Sequence, residues 1–140
     1  MHDIVFVPIG YLTKTVAWKK WLHHVVKKLR NWELKEGAIV CKNGNVIAAS
    51  PQFHINMNEF KEIICCFVYQ DVEMVSLMGI TYCIKSISDS QLIAFNGKHY
   101  LIVSQTESMF IFFKCTTKLK SILVADWLKK TAQKIQERHY

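Results

Sequence analysis

Residues 37–56 read GAIVCKNGNVIAASPQFHIN, two apolar runs joined by Asn43-Gly44 and followed by a helix-start signal. Asn-Gly between such runs is the strongest short-range hairpin signal, because a two-residue type I′ turn needs positive φ at both central positions. A hairpin is therefore expected with Asn43 and Gly44 at its tip. Just beyond it, Asn56 stands three residues before Glu59, a variant of the capping box, ahead of Phe60, Ile63, Ile64 and Phe67 at helical spacing. A helix is predicted from about Met57 to Tyr69.

Upstream, a helical period begins at Thr15 or Val16. It sets Trp18, Trp21, Leu22, Val25, Val26 and Leu29 on one side, with Lys19, Lys20, Lys27, Lys28 and Arg30 opposite, and ends between Asn31 and Lys35. Downstream, β-rich runs at Ile80–Ile87, Gln91–Asn96, Lys98–Gln105 and Met109–Cys115 are separated by short polar turns. Tight turns join antiparallel neighbours, since parallel strands need long crossovers. Ser121–Glu137 then returns to the helical period, with Val124, Leu128, Ala132 and Ile135 on one side. The expectation is an α+β fold: a six-stranded antiparallel sheet, the N- and C-terminal helices together on one face and the middle helix on the other. Residues 1–16, with Pro8 and Gly10 and no sustained period, read as a flexible extension or extended arm, and residues 17–140 as one domain.

The 140 residues are 51% apolar, enough for a single core. Five cysteines, with Cys65 and Cys66 adjacent, fit neither a disulfide framework nor the C-x-x-C spacing of a zinc or redox site. Reduced thiols, no transmembrane segment and Asp3 where a signal peptide wants positive charge lead to the expectation of a soluble cytoplasmic protein. No phosphate loop, nucleophile elbow or paired-carboxylate motif is present, and His23 and His24 point about 100° apart on a helix. No catalytic residue, metal site or cofactor is expected, and an enzyme is the least expected class.

Charge is segregated along the chain. Residues 14–35 hold seven Lys/Arg against Glu33, a net +6, and residues 114–138 hold seven against Asp126 and Glu137, a net +5. Residues 36–113 hold four against seven acids, a net −3. Side-by-side packing of the terminal helices would gather Lys19, Lys20, Lys27, Lys28, Lys129, Lys130 and Lys134 into a cationic surface suited to acidic phospholipids. A solvated helix face that keeps the protein soluble is the equally weighted alternative. Nucleic acid is not expected as a partner, since neither a stacking platform nor a recognition motif accompanies the charge.

Order and residues together resemble the profilin family. Ala17-Trp18-Lys-Lys-Trp21-Leu22 is similar to that family's aromatic N-terminal helix, GAIV with its Asn-Gly turn and VIAASPQF to its first hairpin, and INMNEFKEII to its middle helix. Gly79-Ile-Thr-Tyr-Cys-Ile, Lys98-His-Tyr-Leu-Ile-Val and Met109-Phe-Ile-Phe-Phe-Lys resemble its later strands, and the likeness covers about residues 17–140. Each motif is weak alone; their order and spacing carry the match.

The resemblance implies an actin-monomer-binding protein of the cytoskeleton. It implies a groove between the terminal helices where a proline-rich ligand stacks on Trp18, Trp21 and Tyr140, a mode that exploits the preformed polyproline II helix. It implies phosphoinositide binding, which meets the charge pattern, and it places actin contacts at the sheet edge and the start of the last helix, where Lys114, Lys118 and Lys120 stand. Two departures are visible: Ile47 occupies a hairpin position where many members carry Trp, and Lys114–Lys120 lacks the glycine-rich turn many members have there. The alternatives are a profilin-fold module for lipid or proline-rich ligands with little actin affinity, and a scaffold subunit of the roadblock-like kind.

Overall fold

The computed structural model describes residues 14–138. The expected extension and Tyr140 therefore fall outside the described residues, apart from the first helix's opening turn. Helix α1 (Lys14–Lys28) runs into a 3-10 turn (Leu29–Trp32) that ends at Glu33 with φ of 58°. Strands β1 (Leu34–Cys41) and β2 (Val46–Ala49) form the first hairpin, and α2 (Met57–Tyr69) follows. Then come β3 (Met74–Leu77), β4 (Ile80–Ile87), β5 (Gln91–Phe95), β6 (Tyr100–Gln105), β7 (Met109–Cys115) and α3 (Lys118–Glu137).

The sheet has seven strands, not six, in the order β2-β1-β7-β6-β5-β4-β3, with every pairing antiparallel. The added strand is β3, four residues long and paired only with β4. Its hairpin closes through Met78 and Gly79, with φ of 53° and 76°, so the type I′ geometry expected at Asn43-Gly44 occurs here. At the first hairpin only Gly44 takes a left-handed φ, of 98°. Gly44 N–H donates to the Cys41 carbonyl and Cys41 N–H to that of Asn45, both at 2.9 Å, which makes a three-residue loop with glycine at the bulge position. Asn43 stays out of the left-handed region. Its side-chain oxygen instead accepts from Asn45 N–H at 3.0 Å.

Helix α2 begins as its capping box dictates. Asn56 Oδ1 accepts from Glu59 N–H at 2.8 Å, while Glu59 Oε1 accepts from Asn56 N–H at 3.4 Å. Glu59 is buried, and its other oxygen accepts from Gly79 N–H at 2.9 Å. One carboxylate thus ties the helix start to the β3–β4 turn. Helix α3 starts three residues earlier than the sequence period suggests, capped by Thr117, whose side chain accepts from Lys120 N–H.

Helices pack on both faces of the sheet. Alternation along β7 sends Met109, Ile111, Phe113 and Cys115 into one core with Trp18, Trp21, Leu22, Val25, Val124, Leu128 and Ile135 of the terminal helices. Phe110 and Phe112 enter a second core with Phe60, Ile63, Cys66 and Phe67 of α2. The expected placement of the three helices is borne out. β7 is buried almost throughout, as a central strand between two layers must be.

Candidate binding surface

Three features bear on recognition: an open half of the sheet, the indole pair and the basic helix faces. Helix α3 lies over β6, and Gln91 Nε2 of β5 joins it by donating to the Ala125 carbonyl and to Ser104 Oγ, both at 2.9 Å. Beyond that link no described helix lies over the same face. The register aligns Leu34, Cys115, Tyr100, Phe95, Cys83 and Met74 in one row across six strands. Leu34 and Cys115 are buried, Phe95 and Tyr100 are half-buried and stacked with centroids 4.3 Å apart, and Cys83 and Met74 are exposed. On helix α3, Ile122 is 56% and Leu123 38% exposed. An apolar shelf beside charged helix residues suits a protein partner more than a small molecule.

Trp18 and Trp21 lie at 3% and 2% exposure, packed edge to face with centroids 5.3 Å apart. An indole buried to that degree cannot stack on a ligand without a rearrangement, so neither is presented as the open platform expected. Tyr140 lies outside the described residues. Trp127, half-buried on α3, stacks on Phe113 at 6.1 Å. The Trp21 Nε1–H is buried with no acceptor among the described residues, where such a donor ordinarily costs about 1–3 kcal/mol. Ile47, at the departed hairpin position, is half-buried against the same core.

Lys19, Lys20, Lys27, Lys28, Lys129, Lys130 and Lys134 are all exposed, on helices that share a sheet face. Lys130 pairs with Asp126 at 3.1 Å along α3, and Lys19 lines a groove of about 210 Å³ with His23, Lys35 and Ser50. The three lysines read as actin contacts are not brought together. Lys114 follows Phe112 in the β7 alternation and so points to the α2 side, 14% exposed and paired with Glu36 at 3.3 Å. Lys118 and Lys120 open α3 on the other face, the first exposed and the second half-buried.

Sequence reasoning missed the shelf residues Met74, Cys83, Phe95 and Tyr100, and the exposed Ile122 and Leu123 of α3. One signal was available: Ser121-Ile-Leu-Val124 packs three adjacent apolar residues into a helix, more than one face can bury. Two of the thiols, Cys66 and Cys115, are buried. Burial pushes Cys66 up to about 11, helped by Glu62, and Cys115 up to about 12, helped by Glu33. Among the described residues no group of three His, Cys, Asp or Glu could hold a metal ion, and no helix is long and apolar enough to cross a membrane.

A curled antiparallel sheet with terminal helices on one face, a middle helix on the other and a half-open shelf defines a small α+β recognition domain. The chain belongs to the profilin family, whose family model, described as Profilin, matches residues 16–140. Among solved structures it is similar to Acanthamoeba castellanii profilin IA, at TM-score 0.77 and 17% identity over 88% of this chain and 99% of that one. Schizosaccharomyces pombe profilin gives 0.73 and 19% over the same shares. LokiProfilin1 in its complex with rabbit actin gives 0.65 and 16%, over 84% of this chain and 96% of that one. No curated protein sequence matches.

Proposed function

We propose that this chain binds monomeric actin and regulates filament assembly in the cytoplasm, through the open half of the sheet and the first turns of α3. Family membership and the actin complex of LokiProfilin1 support the reading. The observation that carries it is the sheet row with its half-buried Phe95–Tyr100 stack, together with Ile122 and Leu123, which stand exposed in the first turns of α3. Aromatic and aliphatic anchors ringed by polar residues are the usual hot spots of protein interfaces. The test is spontaneous assembly of actin with the purified chain. It should slow assembly at micromolar concentration, and Ile122→Asp with Leu123→Asp should weaken that effect about tenfold or more, at about 1–2 kcal/mol per truncated anchor. Unchanged assembly with folded wild-type protein would remove the reading.

A proline-rich ligand between the terminal helices is a second reading, favoured by the Trp21 N–H, which has no acceptor among the described residues. A polyproline II ligand has free carbonyls to accept that hydrogen bond, though both indoles must first be uncovered, with Tyr140 as the third aromatic. Trp21→Phe keeps most of the packing and removes the donor. It should stay folded and lose retention on poly-proline resin; equal retention would sink this reading. The exposed lysines of α1 and α3 support acidic phospholipid headgroups as further ligands.

A further inference from the structure

The side of the molecule away from the terminal helices carries a second feature. Among the described residues β3 is an outer strand of the sheet, with no strand paired to one flank. The β3–β4 hairpin pairs Leu77 with Ile80 across a two-residue turn, and Ile84 N–H donates to the Glu73 carbonyl at 2.8 Å. The antiparallel alternation therefore turns the backbone groups of Met74 and Ser76 away from β4. Ser76 N–H is met by Glu62 Oε1 of α2 at 3.3 Å, a long contact for a charged acceptor, whose bonds usually run about 2.7–2.9 Å. A side chain stands in where a neighbouring strand would place a carbonyl.

Beside this edge runs a groove of about 430 Å³ between α2 and β3, lined by residues including Lys61, Glu62, Cys65, Val72, Met74 and Ser76. Of the apolar residues in that lining, Met74 is exposed and Val72 half-buried. Over residues 57–77 Glu59, Glu62, Asp71 and Glu73 oppose Lys61 alone, a net −3 in a chain of +7. A strand edge without a described neighbour, a groove that includes Val72 and Met74, and local negative charge select one kind of occupant. We propose that β3 docks an extended, positively charged peptide segment with alternating apolar side chains, which adds to the sheet as an outer strand and gives Ser76 N–H a backbone acceptor in place of Glu62. The site is separate from the groove of the terminal helices and borders the shelf only at Met74.

The probe is a capped heptapeptide alternating Lys and Val, titrated into the isotope-labelled full chain, with the Glu and Val counterpart as control. Expected are saturable amide shifts at Met74–Leu77 and along the facing side of α2, slower amide exchange at Met74 and Ser76, and affinity that falls several-fold as salt is raised. Ser76→Pro removes the donor at an edge position, where proline is tolerated, and should abolish binding. Asp71→Lys with Glu73→Lys, both at exposed positions, should weaken it several-fold without touching the core. Shifts elsewhere, no saturation at millimolar peptide, or equal binding of the acidic control would each overturn the proposal. So would sedimentation showing that a second copy of the chain occupies the edge.

Discussion

Gly37 shows how one residue decides the spacing between layers. It sits in β1 at an ordinary strand conformation, yet a Cβ there would stand 2.9 Å from Phe113 Cε1 and 3.0 Å from Leu22 Cδ1. Glycine is needed for close approach of α1 to the sheet, not for backbone freedom. Gly37→Ala must push an aromatic ring and a leucine apart in a filled core, and should destabilise the fold by about 1–3 kcal/mol. Urea denaturation with an unchanged m-value checks it, and a variant as stable as wild type would show that α1 can slide. Glu59 works at the same scale, since its two oxygens serve α2 and the β3–β4 turn together. The sequence made the capping half of that role legible; the turn half depends on a partner twenty residues away.

At the scale of elements, local chemistry was readable and pairing was not. Helix α2 occupies Met57–Tyr69, the span its capping box and apolar period indicate. β3 escaped because Met74–Leu77 is short and Met78-Gly79 is not a familiar turn pair; its strand character comes from β4 beside it. The Asn43-Gly44 turn was located correctly but given the wrong geometry, because the same dipeptide also suits a three-residue loop with a glycine bulge. For the tryptophans, helical spacing gives the side they occupy. It does not tell whether core or ligand covers that side, and the structure buries both.

Helix α3 invites a prediction of its own. Its first turn holds no acid and begins with Lys118, where the helix dipole disfavours a cation. Lys118→Glu should raise stability by about 0.3–1 kcal/mol, read from the thermal midpoint at low salt. On the actin reading, the same variant should bind actin more weakly. Gain in stability with loss of binding would mark Lys118 as a residue kept for its partner; unchanged binding would leave it a solvated charge.

For the whole molecule, charge and layering act together. The terminal helices carry the basic excess and share one sheet face, while the segment between them is net acidic. Vesicles with acidic headgroups should bind the chain at low ionic strength and release it as the Debye length falls below about 10 Å, near 0.1 M salt. Lys19→Glu with Lys27→Glu should lower that binding; retention at high salt, or by neutral vesicles, would contradict it. The sequence displayed this polarity fully, since it is a count along the chain. The apolar shelf stayed hidden because its residues come from β3, β4, β5 and β6, and only the register brings them into line.

The sheet order also sets a timetable for synthesis. β1 finds one of its two neighbours, β2, within a few residues but must wait for the other, β7, about 70 residues downstream. At about 5–20 residues per second, the ribosome leaves the first hairpin and the tryptophan-bearing helix without their main cover for roughly 4–15 seconds. The nascent chain is most vulnerable to aggregation in that interval. Replacing α1 core residues with smaller ones would therefore lower its demand for chaperones even as it weakened the finished domain.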